Sequence, residues 1–270
     1  SLPCPAMSKS FLEAVRERVV IYDGAMGTAL QAKGLTADDF GGPDLEGCNE
    51  LLVVTRPDVI AEVHAAYFEA GADIVETDTF GAFAIPLAEY GIADRVHELN
   101  VAAARIARGV ADDMSTPDRP RWVAGSIGPG TKFPSLGQIR YLELRDAYEA
   151  QAAALLEGGV DVLIIETMFD LLIVKAAMNG ARRAMRTAGR EVPLQVQVTM
   201  ELTGTMLPGT EISAALAAID PMRPDIIGIN CATGPAEMGE HLRHLSHHAR
   251  MPISCLPNAG LPSVVDGHMH

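Results

Sequence analysis

Two separate stretches of this chain follow one pattern. Glu69-Ala70-Gly71-Ala72-Asp73-Ile74-Val75-Glu76-Thr77 is echoed by Glu157-Gly158-Gly159-Val160-Asp161-Val162-Leu163, which runs on to Glu166-Thr167. Each reads as a helix end, a glycine stop, an Asp, an apolar strand and a closing Glu-Thr. Strands that are apolar at successive positions are covered on both faces, and alternation with helices implies a parallel sheet. A third stretch, Asp225 to Pro235, has the same character. Its apolar run closes on Asn230-Cys231 and a Gly-Pro turn, which delivers a thiol to the C-terminal end of a buried strand.

Extending this pattern along the chain predicts strands over 19–22, 73–77, 122–126, 161–166, 194–199, 252–256 and the stretch from 225. Helices are predicted over 10–18, 57–70, 94–110, 144–155, 170–188, 212–219 and 236–248. Thr55-Arg56-Pro57-Asp58 supplies a cap, a first-turn proline and a carboxylate, and Gly71 stops that helix. A long polar, glycine-rich segment fills 24–49. The expected fold is α/β, of the (β/α)8 TIM-barrel type. It is incomplete, with seven of the eight strands that closure needs. The barrel domain takes residues 19–270, with its C-terminal part missing, behind a leader and short helix over 1–18. Two unpaired strand edges would favour self-association.

The net charge of −14 over 270 residues, without a basic patch, argues against nucleic acid or an anionic membrane as partner. No apolar run reaches the ~18 residues of a membrane span. Four cysteines (Cys4, Cys48, Cys231, Cys255) are too few and scattered for a disulfide scaffold. The N-terminus lacks the pattern of a signal peptide, so reduced thiols in a cytoplasmic location are expected.

In parallel barrels the chemistry sits where the strands end. Those ends carry Asp23, Glu76-Thr77, Ser126, Glu166-Thr167, Thr199, Asn230-Cys231 and Cys255. The segment Asp23-Gly24-Ala25-Met26-Gly27-Thr28 exposes amides that suit an anion, although a plain turn would look the same; it is not a P-loop. Such amides beside Asp23 would hold the carboxylate of an amino acid, with Asp23 or Glu166 taking its ammonium. Singly, either carboxylate is more often structural than functional, and a lone Cys231 more often a small core residue. His64 and His97 are placed at solvated helix edges. His244 and His248 have metal-ligand spacing but lack a third ligand. Cys48, beside Asn49-Glu50, reads as structural.

Seven segments together resemble the homocysteine-binding domain of cobalamin-dependent methionine synthases. They are Asp23–Thr28; Asn49-Glu50-Leu51-Leu52 with Arg56–Ile60; Glu76-Thr77-Asp78-Thr79-Phe80; Ala124–Pro129; Ile165-Glu166-Thr167 with Phe169-Asp170; Asn230–Pro235; and Pro257–Pro262. The match runs from about Val19 to Pro262, and its strength lies in the shared order.

The resemblance implies a barrel holding homocysteine and a zinc ion on three thiolates, with methylcobalamin as methyl donor on another domain of a longer chain that also binds folate. Cys231 matches the first thiolate, the other two cysteines are absent from this chain, and Asn258 matches an oxygen ligand. Asp23, Gly24, Ala25, Ser126 and Glu166 match residues that orient the amino-acid end, and Thr79 matches a further pocket position. Cys255 matches no ligand. Zinc would keep the substrate sulfur as a nucleophilic thiolate. One thiolate and one amide oxygen fall short of the three protein ligands of a zinc site, so this chain alone is expected to be inactive and to bind little zinc. The alternatives are a methyltransferase using betaine or S-methylmethionine, and an amino-acid-binding module without chemistry.

Overall fold

A computed structural model describes residues 10–258 and two short strands at 264–265 and 268–269. The leader over 1–9, with Cys4, and positions 259–262 of the Pro257–Pro262 motif lie outside the described residues, as does His270.

The helices are α1 (Phe11–Glu17), α2 (Met26–Gln31), α3 (Ala37–Phe40), α4 (Leu52–Thr55), α5 (Pro57–Ala70), α6 (Ala84–Glu89), α7 (Val96–Met114), α8 (Tyr141–Gly158), α9 (Leu171–Ala188), α10 (Ile212–Ile219) and α11 (Pro235–His248). The strands are β1 (Ile74–Glu76), β2 (Trp122–Ile127), β3 (Val162–Met168), β4 (Leu194–Val198), β5 (Ile226–Asn230), β6 (Ile253–Leu256), β7 (Val264–Val265) and β8 (His268–Met269). β1 to β6 form one parallel sheet in sequence order, while β7 and β8 pair antiparallel with each other. Sequential parallel order with a helix between neighbours is the winding of a barrel wall. Six strands make a curled part of that wall.

The strand predicted over 19–22 survives as a single bridge, Tyr22 to Ile74. Below the bridge the chain is held by Asp73. Its carboxylate accepts from the Ile21 N–H at 2.9 Å and from both Arg18 guanidinium nitrogens at 2.7 and 3.0 Å. Val19 and Ile21 stay exposed.

Alternation along the strands assigns two faces. Val75, Val123, Leu163, Ile165, Val196, Val198, Ile227 and Ile229 pack outward against the helices. Ile74, Trp122, Ala124, Val162, Ile164 and Ile226 form the inner cluster with Phe11 and Ala14 of α1, which closes the lower end. Ser10 and Glu13 form a capping box that starts α1, and Phe11 meets Trp122 edge-on at 5.9 Å. Gly180 lets α9 approach α8: a Cβ there would stand 2.6 Å from the Arg145 carbonyl oxygen.

His64 departs from its expected solvated edge. It is fully buried on α5, and the absence of solvent pushes its pKa down to about 4, which keeps it neutral. The 24–49 segment is also more ordered than its composition suggests, because it contains α2 and α3. No described helix is long and apolar enough to cross a membrane.

Candidate functional site

Continuing the inner-face alternation upward gives the site. Two residues beyond Ile74 stands Glu76; beyond Ala124, Ser126; beyond Ile164, Glu166; beyond Gly228, Asn230. Period-two geometry puts these side chains on the inner face above the apolar cluster. Asp23 joins them from the chain following the Tyr22 bridge.

They surround a cavity of about 430 Å³, which Gly24, Ala25, Thr167, Cys231 and Asn258 also line. Its described lining holds five carboxylates, Asp23, Glu50, Glu76, Asp78 and Glu166, and no Lys, Arg or His. Asp23 accepts the Glu76 backbone N–H at 3.0 Å with one oxygen. The other Asp23 oxygen is buried without a partner, as are Oε1 of Glu76 and Oδ2 of Asp78. Ser126 donates its hydroxyl to Glu166 at 2.6 Å, and Asn230 donates to the other Glu166 oxygen at 3.2 Å.

Burial dominates the electrostatics. It pushes Glu166 up to about 7, against the Ser126 and Thr167 hydrogen bonds that stabilise its charge. Asp23 and Glu76 are driven well above the carboxylate range by burial, and the Glu166 charge adds to both shifts. Asp78 rises to about 8, through burial first and the Glu50 charge second. The Cys231 thiol is also raised, again chiefly by burial.

Cys231 sits on a strained turn. Thr167, Cys231 and Ala232 have φ of 57°, 56° and 57°, a left-handed region costing roughly 1–2 kcal/mol per non-glycine residue. The Thr167 hydroxyl lies 3.6 Å from the Cys231 sulfur. Strain held at a cavity rim by surrounding hydrogen bonds is a mark of functional sites.

The structure therefore gathers Asp23, Gly24, Ala25, Ser126, Glu166, Cys231 and Asn258 around one cavity. Thr79 departs from its expected place in the pocket. It is fully buried behind the wall, where its hydroxyl donates to the Ser126 carbonyl at 2.7 Å and pairs with Thr77 at 2.6 Å. Cys255 lies outside this cavity; its thiol faces Met238. Glu76, Thr167 and Asn230 were legible as strand-end residues, yet the sequence assigned them no role. Asp78 was legible only as part of a motif. The usable signal was the inner-face spacing.

A family model described as homocysteine S-methyltransferase matches residues 20–270. The chain belongs to the homocysteine S-methyltransferase family. It is 58% identical over 251 residues to the methionine synthases of Mycobacterium tuberculosis and Mycobacterium leprae, covering 93% of this chain and 21% of each relative. The chain thus spans about a fifth of the length of the curated relatives it matches. The metallated form of the homocysteine methyltransferase MmuM from Escherichia coli shares the fold, with a TM-score of 0.73 at 22% identity over 91% of this chain and 86% of that one.

Family membership raises the question of zinc. Among the described residues no group of three or more His, Cys, Asp or Glu side chains is placed to hold a metal ion. Cys231 and Asn258 offer one thiol and one amide, and a zinc site takes at least three protein ligands. The described residues do not fit the ion.

Proposed function

We propose that this chain is the homocysteine-binding unit of a methionine synthase, and that its cavity holds homocysteine by the amino-acid end while turning the sulfur toward Cys231. The observation that carries this reading is a cavity whose described lining has five carboxylates, three of them (Asp23, Glu76 and Asp78) with buried unpartnered oxygens, and no basic side chain. Such a cavity favours a cationic group, and burial strengthens each charge-assisted bond that an ammonium would make. Asp23 and Glu166 are the acceptors, with Ser126 and Asn230 fixing the Glu166 carboxylate. Backbone amides near Gly24 and Ala25 take the substrate carboxylate.

In this reading homocysteine sulfur accepts a methyl group to give methionine. Zinc and methylcobalamin, with folate- and cobalamin-binding domains, belong to the proposal only for a polypeptide of the relatives' length that supplies two further thiolates. This chain contributes binding, orientation and the exclusion of water. The incomplete donor set favours a second reading, in which the chain by itself binds an amino acid without chemistry.

Titration calorimetry with L-homocysteine and with N-acetyl-L-homocysteine tests the proposal. Binding of the first and loss of the second is the expected result, because acetylation removes the cation. Equal binding of both, or of neither, would refute it.

A further inference from the structure

The Asn230 side chain touches both ends of the proposed site. Its Oδ1 accepts the Thr167 backbone N–H at 2.9 Å. Only an oxygen can accept that proton, so the amide orientation is set and the NH₂ faces the cavity side. The NH₂ then meets three acceptors: Thr167 Oγ1 at 2.9 Å, Glu166 Oε2 at 3.2 Å and Cys231 Sγ at 3.4 Å. Two protons shared among three acceptors form a fork, which ties a carboxylate on β3 to a sulfur just beyond β5. Thr199 buttresses the fork by donating to the Asn230 carbonyl at 3.1 Å. Asn230 itself is 2% exposed, and burial strengthens such bonds.

We propose that Asn230 is a positioning residue that sets the separation between the ammonium-holding carboxylate Glu166 and the sulfur-bearing turn at Cys231, and so selects the carbon-chain length of the amino thiol. The inference rests on the homocysteine reading above. Homocysteine and cysteine carry the same ammonium, carboxylate and thiol and differ by one methylene. A rigid fork makes one length fit both ends, whereas a loose one accepts either.

The test measures dissociation constants for L-homocysteine and L-cysteine by calorimetry on the wild-type chain, Asn230→Asp and Asn230→Ala. The Asp variant keeps the oxygen that clamps the Thr167 backbone and loses the donors to Glu166 and Cys231. The Ala variant loses both. The wild type should prefer homocysteine by at least tenfold, and both variants should bring that ratio to within about threefold of unity. Circular dichroism checks that each variant folds, and the Asp variant decides the matter should the Ala variant unfold. A wild type that prefers homocysteine while Asn230→Asp keeps the same ratio overturns the positioning role and leaves the homocysteine reading standing. A wild type that binds neither thiol overturns both.

Discussion

Glu166→Gln should make the protein more stable at neutral pH while removing its ligand. Burial raises the Glu166 carboxyl from its ordinary 4.5 to about 7. A group whose folded pKa is raised stabilises the fold fully below its unfolded value, and that contribution is lost as pH rises through the folded value. The window here is pH 4.5 to about 7. At about 1.4 kcal/mol per pH interval the contribution is roughly 3 kcal/mol, a large share of the 5–15 kcal/mol that typically separates folded from unfolded. Glutamine has nearly the same shape and does not titrate, so the variant lacks this loss. Asp78 titrates alike in both proteins, while Asp23 and Glu76 lose the Glu166 charge that adds to their shifts, so the difference between the two curves carries the Glu166 contribution plus that relief and is the quantity to measure. Urea unfolding at intervals from pH 4 to 8 should give equal stabilities near pH 4.5 and a variant ahead by roughly 3 kcal/mol above pH 7. Parallel curves would refute the claim that burial holds a proton on Glu166. Homocysteine binding should fall in the same variant, a trade of function against stability common at sites built around strained charges.

Ser126→Ala removes a hydrogen bond that favours ionised Glu166, so the pH midpoint for homocysteine binding, followed by calorimetry, should move upward from its wild-type value. Gly180→Ala forces a Cβ against the Arg145 carbonyl oxygen and, at 2.8 Å, the Glu149 amide nitrogen; a loss of about 2 kcal/mol and a lower melting temperature are expected. Elemental analysis of this purified chain should find well under one zinc per molecule, because among the described residues Cys231 and Asn258 lack a third protein ligand. Stoichiometric zinc that is lost on Cys231→Ala would contradict that reading.

The long elements were legible because their caps and periods agree. Asp170 caps α9 by accepting from the Leu172 and Ile173 amides, and Gly71, Gly159 and Gly189 end α5, α8 and α9 with positive φ. The short ones were not. α2, α3 and α6 span six, four and six residues, too few for a period to emerge, and α6 carries Pro86 in its first turn. The first strand shrinks to the Tyr22 bridge with Val19 and Ile21 exposed, which the apolar run Val19-Val20-Ile21-Tyr22 does not announce. At the site, residue identity and strand-end position were visible, and so was the convergence of Asp23, Ser126, Glu166 and Cys231. The Asn230 fork was hidden, because it depends on the register between β3 and β5 across the intervening β4. Thr79 shows the converse: a motif position whose hydroxyl is spent on the strand ends behind the cavity.

The central claim is that the carboxylate-lined cavity takes the ammonium of an amino acid and leaves its side-chain sulfur beside Cys231. A crystal structure of this chain soaked with L-homocysteine measures that arrangement directly. The account predicts the ligand nitrogen within hydrogen-bond reach of Asp23 and Glu166 and the ligand sulfur on the side of the Thr167–Cys231 turn. A ligand reversed in the cavity, with its sulfur against Asp23, or bound anywhere else on the molecule, would contradict it.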